Sequence, residues 1–144
     1  MIGCCEVIKE RLDIAPQRSN SKITINERER RKTARPRPVI ENLCVKREYR
    51  QSGVGAALVT ACERAVQQHW LGQYDMFAQV DDDNIRAYSL FRKCGYQFLF
   101  ADPTCAKMVL DDALSAKEIT ITKQIMRKTL EGGNDFYKSF PSLY

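Results

Sequence analysis

The stretch Arg50-Gln51-Ser52-Gly53-Val54-Gly55 decides the fold of this chain. It follows an apolar run, residues 39–45, that is typical of a β-strand. The segment after it has apolar residues at positions 54, 57, 58, 61, 62, 65 and 66, which is the spacing of a helix. The sequence therefore predicts a strand, a glycine-containing turn and the N-terminus of a helix.

This turn suits a phosphate group for two reasons. Gly53 and Gly55 have no Cβ, so a ligand can approach the main chain closely. The first amides of a helix have no intrahelical partner and lie at the positive end of the helix dipole. The two glycines alone are also compatible with a simple tight turn. The chain has neither a third glycine at the dinucleotide-binding spacing nor the Gly-Lys-Ser/Thr of a P-loop.

A second pattern covers residues 84–96. Asn84 is a candidate helix N-cap, and Gly95 is placed as the glycine that follows a helix C-terminus. Apolar runs precede this segment at 74–80 and follow it at 96–101. The pattern predicts a short capped helix between two strands.

Together, R-x-x-G-x-G and N-x-x-A-x-x-L-F-x-x-x-G-Y resemble the GNAT acetyltransferase superfamily over residues 39–110. The sequences of residues 3–7, 37–43 and 100–103 resemble those of the plastid GNATs of plants and algae. The resemblance implies an α/β fold with a mixed, mostly antiparallel sheet flanked by helices. It also implies that the usual first strand and helices are missing, so that a partner or a missing segment would complete the sheet.

The predicted organisation is a domain over 1–130, with a basic loop at about 15–37, and a C-terminal tail over 131–144. The predicted strands are 2–13, 38–46, 74–80, 96–101, 105–110 and 118–128, and the predicted helices are 54–70 and 84–94, with a turn at 47–53.

The formal charge of +5 is concentrated in the basic loop. This loop is either a solvated connection or a patch that attracts anionic CoA or acidic partners. Because no aromatic residues are interleaved there, the sequence argues against nucleic-acid binding. No apolar run reaches the ~20 residues of a membrane span, and no targeting segment is predicted ahead of Met1. The six cysteines form no C-x-x-C pair, and four of them lie in apolar patterns, so we expect buried, reduced thiols and neither disulfides nor a metal site.

The resemblance implies direct acetyl transfer from acetyl-CoA to an amine, with no covalent enzyme intermediate. It places the pantetheine arm along Leu43, Cys44 and Val45, and the pyrophosphate on Arg50, Gln51, Ser52, Gly53, Val54 and Gly55. It places Asn84, Ala87 and Phe91 beside the pantetheine as further cofactor contacts.

The resemblance leaves the proton-transfer residues open. Many family members have tyrosine at the position of Phe91, which has no proton to give. Tyr88 lies three residues earlier on a similar helical face and is the candidate acid; the alternative is a packing aromatic. Glu41 is the candidate base because it shares strand parity with Leu43, provided that no bulge intervenes; the alternative is a carboxylate paired with an arginine. Asp81 and Asp82 could instead bind the amine or cap the next helix.

The predicted function is acetylation of an amine, either a protein N-terminal α-amine or a lysine ε-amine, because the plastid GNATs that the chain resembles act on proteins. The alternative is an acyl-CoA-binding module with weak or absent catalysis. The resemblance indicates a plastid location, with the cytoplasm as the alternative.

Overall fold

The computed structural model describes residues 1–14, 34–112 and 114–130. Within these described residues, two helices and five strands follow one another with a short 3-10 turn at Arg47–Tyr49: β1 (Gly3–Leu12), β2 (Arg35–Val45), α1 (Val54–His69), β3 (Asp75–Asp81), α2 (Ile85–Lys93), β4 (Gln97–Leu110) and β5 (Ala116–Thr129). The predicted α/β class is confirmed. Most of the predicted basic loop and the whole predicted tail, 131–144, lie outside the described residues.

The five strands form one sheet in the order β1-β2-β3-β5-β4. The β2–β3 pair is parallel and the other pairs are antiparallel, as the predicted mixed sheet requires. The parallel register consists of Val39 opposite Phe77 and Ile40 opposite Ala78. Beyond these residues β2 and β3 diverge, and the backbone of residues 41–45 has no partner on the β3 side.

Two predicted strand boundaries were wrong. Strand β4 is continuous from Gln97 to Leu110, whereas the sequence predicted two strands separated near Pro103. Its pairing with β5 shifts between Asp102 and Cys105 and then resumes, so the proline marks an irregularity and not an end. Strand β2 begins at Arg35, which pairs with Leu12, so the last residues of the predicted loop belong to the sheet.

Consecutive residues of the central strands enter two separate apolar clusters, one on each side of the sheet. Ile40, Ala78 and Met126 pack with α1 and α2 on what we call the helix side. Their neighbours Val39, Phe77 and Ile125 form a cluster on the opposite side, called the far side, which contains no helical residue among those described. This alternation follows from the two-residue period of a strand.

Helix α1 buries one stripe of its surface. Val59, Cys62 and Val66 are buried, together with Glu63, which is 8% exposed. The alanines at 57, 61 and 65, which belong to the apolar helical spacing, are exposed. The buried stripe includes a carboxylate that the hydrophobic pattern did not indicate.

Glu63 is held by an ion pair with Lys128 of β5. The Lys128 Nζ lies 2.8 Å and 2.9 Å from the two Glu63 carboxylate oxygens. The same ammonium lies 5.8 Å from the centre of the Tyr96 ring, a cation–π distance. A carboxylate this deeply buried is tolerated only with a partner, so the pair fixes how α1 sits on the sheet.

We expect Lys128→Met to destabilise the fold by about 1–3 kcal/mol, below the range for a fully buried pair because the Lys128 side chain is 28% exposed. Urea unfolding would measure this change. Lys117→Met, on an exposed position of the same strand, is the matched control and should change little. Adding Glu63→Gln should recover part of the loss, because no charge then remains unpaired. Equal stability of Lys128→Met and the parent would show that the pair contributes nothing.

Candidate functional site

The turn before α1 is held in place by its own polar groups. The Arg50 Nε donates to the Val45 carbonyl at 3.0 Å, and the Ser52 hydroxyl donates to the Tyr49 carbonyl at 2.6 Å. Gln51 and Gly53 both have positive φ, 63° and 86°. The turn therefore contains two residues with left-handed backbone, and it connects the end of β2 to the start of α1.

The two glycines of this turn have different roles. Gly53 is the N-cap of α1, and its left-handed φ of 86° explains the glycine, because space for a Cβ is open there. A Cβ on Gly55 would lie 3.0 Å from a methyl group of Leu90. Gly55 thus allows α1 and α2 to approach each other. No side chain caps α1, and its first turn contains no acidic residue, so the first amides remain available to a ligand.

Helix α2 has the caps that the sequence predicted. The Asn84 side chain accepts a hydrogen bond from the Ala87 amide at 3.1 Å. At the other end, the Gly95 amide donates to the Arg92 carbonyl and the Tyr96 amide donates to the Phe91 carbonyl, with Gly95 at a φ of 92°. This is the Schellman arrangement, and it fixes the length and orientation of the helix.

A groove of about 870 Å³ lies on the helix side, where β2 has diverged from β3. Its walls are the end of β2, the turn, the first residues of α1 and one face of α2. Most residues predicted to contact the cofactor line it: Leu43, Cys44, Val45, Arg50, Gln51, Gly53, Gly55, Asn84 and Ala87. The groove is also lined by residues that were not predicted: Ala56, Ile85, Arg86, Ser89, Leu90, Lys93 and Cys94. Helical periodicity from Asn84 would have found several of them.

Three predicted contacts lie outside this lining. The Ser52 hydroxyl is engaged within the turn, and Val54 is the first residue of α1. Phe91 is 4% exposed and packs edge-to-face on Tyr96, with 5.2 Å between the ring centres. Its contact with a cofactor stays a prediction.

The groove is cationic. Arg50, Arg86 and Lys93 line it, and no carboxylate does among the described residues. The positive end of the α1 dipole opens into the same space. An elongated ligand with anionic phosphates and an apolar or amide-containing arm fits these walls.

Glu41, the candidate base, lies on the opposite side of the sheet from the residues at the end of β2 that line the groove. The pairing of β1 with β2 shifts at Asn42, whose φ is 51°, so a bulge intervenes. Glu41 shares the side of Val39, whereas Leu43 packs with the helix-side cluster. Glu41 and Leu43 therefore do not share a side of the strand, although Glu41 lies at the place where β2 leaves β3.

The other candidate proton-transfer residues are less central. Tyr88 is partly buried against the helix-side cluster and is absent from the groove lining. The Asp81 carboxylate pairs with Lys107, and Asp82 is exposed. Neither aspartate caps α2, because Asn84 does so.

The described residues contain no group of three or more His, Cys, Asp or Glu side chains that could hold a metal ion. None of the described helices is long and apolar enough to cross a membrane. The six cysteines are free thiols, of which only Cys62 is buried.

A sequence profile of the acetyltransferase (GNAT) family matches residues 6–96. The chain belongs to this family. A match of 37% identity over 67 residues links it to GCN5-related N-acetyltransferase 7, chloroplastic, of Arabidopsis thaliana. That match covers 46% of this chain and 24% of the relative, so the chain aligns with only about a quarter of the longer protein.

Solved structures of GNAT proteins share the fold. Naa20 of Chaetomium thermophilum, in complex with a bisubstrate analogue, has a TM-score of 0.62 at 17% identity, covering 93% of this chain and 62% of its own. A Bacillus subtilis acetyltransferase in complex with CoA has a TM-score of 0.55 at 16% identity, covering 90% and 70%. Arabidopsis NAA60 with a bisubstrate analogue has a TM-score of 0.54 at 14% identity, covering 91% and 66%.

Proposed function

We propose that this chain binds acetyl-CoA in the cationic groove and transfers the acetyl group to an amine. The observation that carries the proposal is the convergence, in one groove, of an uncapped helix N-terminus, three cations and a strand backbone free of its neighbour. An anionic phosphate at one end and an amide-containing arm along the strand would satisfy these groups together.

The two halves of the groove have different tasks in this proposal. The amides at the start of α1, with Arg50, bind the pyrophosphate, and Gly53 and Gly55 let it approach the main chain. The backbone of residues 43–45 offers donors and acceptors on the side that β3 has left, and these pair with the pantetheine amides. Asn84 and Ala87 close the opposite wall.

The chemistry requires two proton movements. The attacking amine must be neutral, so a base removes its proton, and an acid can protonate the departing thiolate. We propose Glu41 among the proton-accepting groups, since it lies at the gap between β2 and β3, and Tyr88 as the acid. The supporting fact for Tyr88 is its place on α2 next to Ala87, which lines the groove.

The acceptor class is inferred from the relatives and not from a bound molecule. The name of the chloroplastic Arabidopsis relative supports a plastid location. The resemblance to plastid GNATs supports a protein amine. We therefore propose a protein N-terminal α-amine or a lysine ε-amine as the acceptor.

Incubation with acetyl-CoA and peptides that carry a free N-terminus, a lysine or both would test the proposal. Mass spectrometry should find one added acetyl group on a defined amine, with matching release of CoA thiol. Peptides with both amines blocked should not react. Tight CoA binding without transfer to any amine would favour the alternative function, an acyl-CoA-binding module.

We expect Ala56→Glu to weaken CoA binding by tenfold or more, because the new carboxylate faces the phosphates from the groove wall. Glutamate is well tolerated in the first turn of a helix, so the fold should persist. The matched control is Ala57→Glu, one residue later on the exposed side of the same turn. The CoA affinity of Ala57→Glu, measured by calorimetry, should lie within a few fold of that of the parent. Equal CoA affinities of the two variants would show that the phosphates do not bind at this turn.

We expect Tyr88→Phe to lower kcat by roughly 10²-fold or more, the usual range for a general acid, while the CoA affinity stays nearly unchanged. Tyr49→Phe removes a hydroxyl from an exposed turn residue and should leave kcat at the parent value. Steady-state kinetics would make the comparison. A kcat of Tyr88→Phe equal to that of the parent would show that Tyr88 is a packing residue. Water would then protonate the departing thiolate.

A further inference from the structure

Two cysteines lie directly opposite each other on neighbouring strands. Cys4 of β1 pairs with Cys44 of β2 in the antiparallel ladder, and both residues are exposed. Side chains that pair in this way project from the same side of a sheet. Cys5, the next residue of β1, packs with the helix-side cluster, so Cys4 projects from the far side. The two thiols therefore share one exposed surface, although they are distant in the sequence.

The spacing of the two strands is compatible with a bond between the sulfurs. The Lys46 amide donates to the Ile2 carbonyl at 2.8 Å, so these residues form a hydrogen-bonded pair. Such pairs alternate along an antiparallel ladder, and Cys4 with Cys44, two positions further along, is again one of them. Its Cα atoms are therefore about 5.5 Å apart, within the range of about 4.4–6.8 Å that disulfides span. The Cys4 Sγ already reaches over β2, 3.8 Å from the Asn42 carbonyl oxygen.

A disulfide at this place would be strained and therefore easy to reduce. The Cβ atoms of a hydrogen-bonded pair lie about 5.5 Å apart, whereas the Cβ atoms of a disulfide lie about 3.8 Å apart. The two strands must therefore be drawn together. The bulge at Asn42 interrupts the ladder beside the pair, so β2 can yield there. A strained, exposed disulfide is labile, which suits a bond that forms and breaks reversibly.

The other cysteines are less suited to this chemistry. The thiolate is the attacking species in disulfide exchange, so a raised pKa or burial lowers the reactivity of a thiol. Burial, together with a hydrogen bond to Cys62, raises the pKa of Cys5 to about 12. Burial also raises the pKa of Cys94 and of Cys105, and Cys62 is itself buried. The exposed pair is thus the part of the cysteine set that a small disulfide can reach.

We propose that Cys4 and Cys44 form a reversible disulfide, which staples the edge strand β1 to β2 beside the cationic groove. The oxidant is a low-molecular-weight disulfide such as glutathione disulfide. Formation of the bond does not require bound CoA, so the site can be tested apart from the proposed acetyl transfer.

The exchange balances with this oxidant. The thiolate of one cysteine attacks a sulfur of glutathione disulfide, and one glutathione thiolate leaves. The thiolate of the second cysteine then attacks the protein sulfur of the mixed disulfide, and the second glutathione leaves. Two electrons pass from the protein to glutathione disulfide, and the two thiol protons end on two glutathione molecules. Excess reduced glutathione reverses both steps.

The bond would act on the groove through β2. Cys44 lies between Leu43 and Val45 in the groove wall. Drawing Cys44 toward β1 displaces the backbone to which the proposed function assigns the pantetheine amides. We therefore expect the disulfide to weaken CoA binding by roughly fivefold or more, and this part of the inference rests on the proposed function. By reciprocity, saturating CoA should shift the thiol–disulfide equilibrium toward the thiols by the same factor.

The first experiment equilibrates the full chain in buffers of graded ratio of reduced glutathione to glutathione disulfide. Acid quenching, alkylation and peptide mass spectrometry then identify the linked cysteines. The parent should show a link between the peptides that carry Cys4 and Cys44, and excess reduced glutathione should remove it. Cys4→Ala and Cys44→Ala should each abolish the link. Cys5→Ala is the matched control, because Cys5 is the next residue on the opposite side of the strand, and it should keep the link.

Two results would overturn the disulfide. One is the absence of the Cys4–Cys44 link at every glutathione ratio, with only glutathione attached to single cysteines. The other is a link that Cys5→Ala abolishes and Cys4→Ala keeps, since the bonded residue would then be Cys5.

The second experiment compares the CoA affinity of the linked and the reduced parent by calorimetry. Cys4→Ala, carried through the same oxidation, should bind CoA as tightly as its reduced form. If the linked and the reduced parent bind CoA equally, or if Cys4→Ala loses as much affinity on oxidation as the parent, the coupling of the bond to the groove is overturned and the proposed function stands. If the reduced parent binds no CoA, the proposed function fails and the coupling with it, whereas the disulfide is decided by the mass measurement alone.

Discussion

The short parallel pairing of β2 with β3 is the constraint on which the rest of the structure depends. The strands are in register only at Val39–Phe77 and Ile40–Ala78, while β3 stays paired with β5 as far as Asp81. The divergence begins where Asn42 adopts a φ of 51° and a bulge bends β2. Asparagine tolerates this conformation better than most residues, and its side chain is tied to Glu6 at 2.8 Å. A straight β2 would extend the ladder and close the gap beside which the groove lies.

The parts of the fold that the sequence predicted are those determined within a few residues. The Asn84 cap and the glycine at position 95 each depend on local backbone chemistry, so a short motif identifies them. The burial of Glu63 in α1 could not be predicted because it depends on a distant partner. Glu63 is buried in the core only because Lys128, 65 residues later, neutralises its charge. The periodicity of α1 does not reveal that contact.

The candidate site divides in the same way. Residues of the turn and of the α2 cap were predicted because each belongs to a contiguous motif, and they lie together in the groove. The side of the sheet occupied by Glu41 depended on strand parity, and a single bulge reversed it relative to Leu43. Cys4 and Cys44 are far apart in sequence and face each other only because β1 pairs with β2. A contact of that kind has no signature in one sequence.

The two sides of the sheet differ where they meet the gap. On the helix side, Arg50, Arg86, Lys93 and the start of α1 favour phosphates, and no described carboxylate competes there. On the far side, Glu41 keeps the side of Val39, because both precede the bulge, whereas Leu43 follows the bulge and lines the groove. The β2 bulge therefore serves the proposed reaction twice. It opens the gap, and it puts the groove-lining end of β2 and the proposed proton acceptor on opposite sides of the strand.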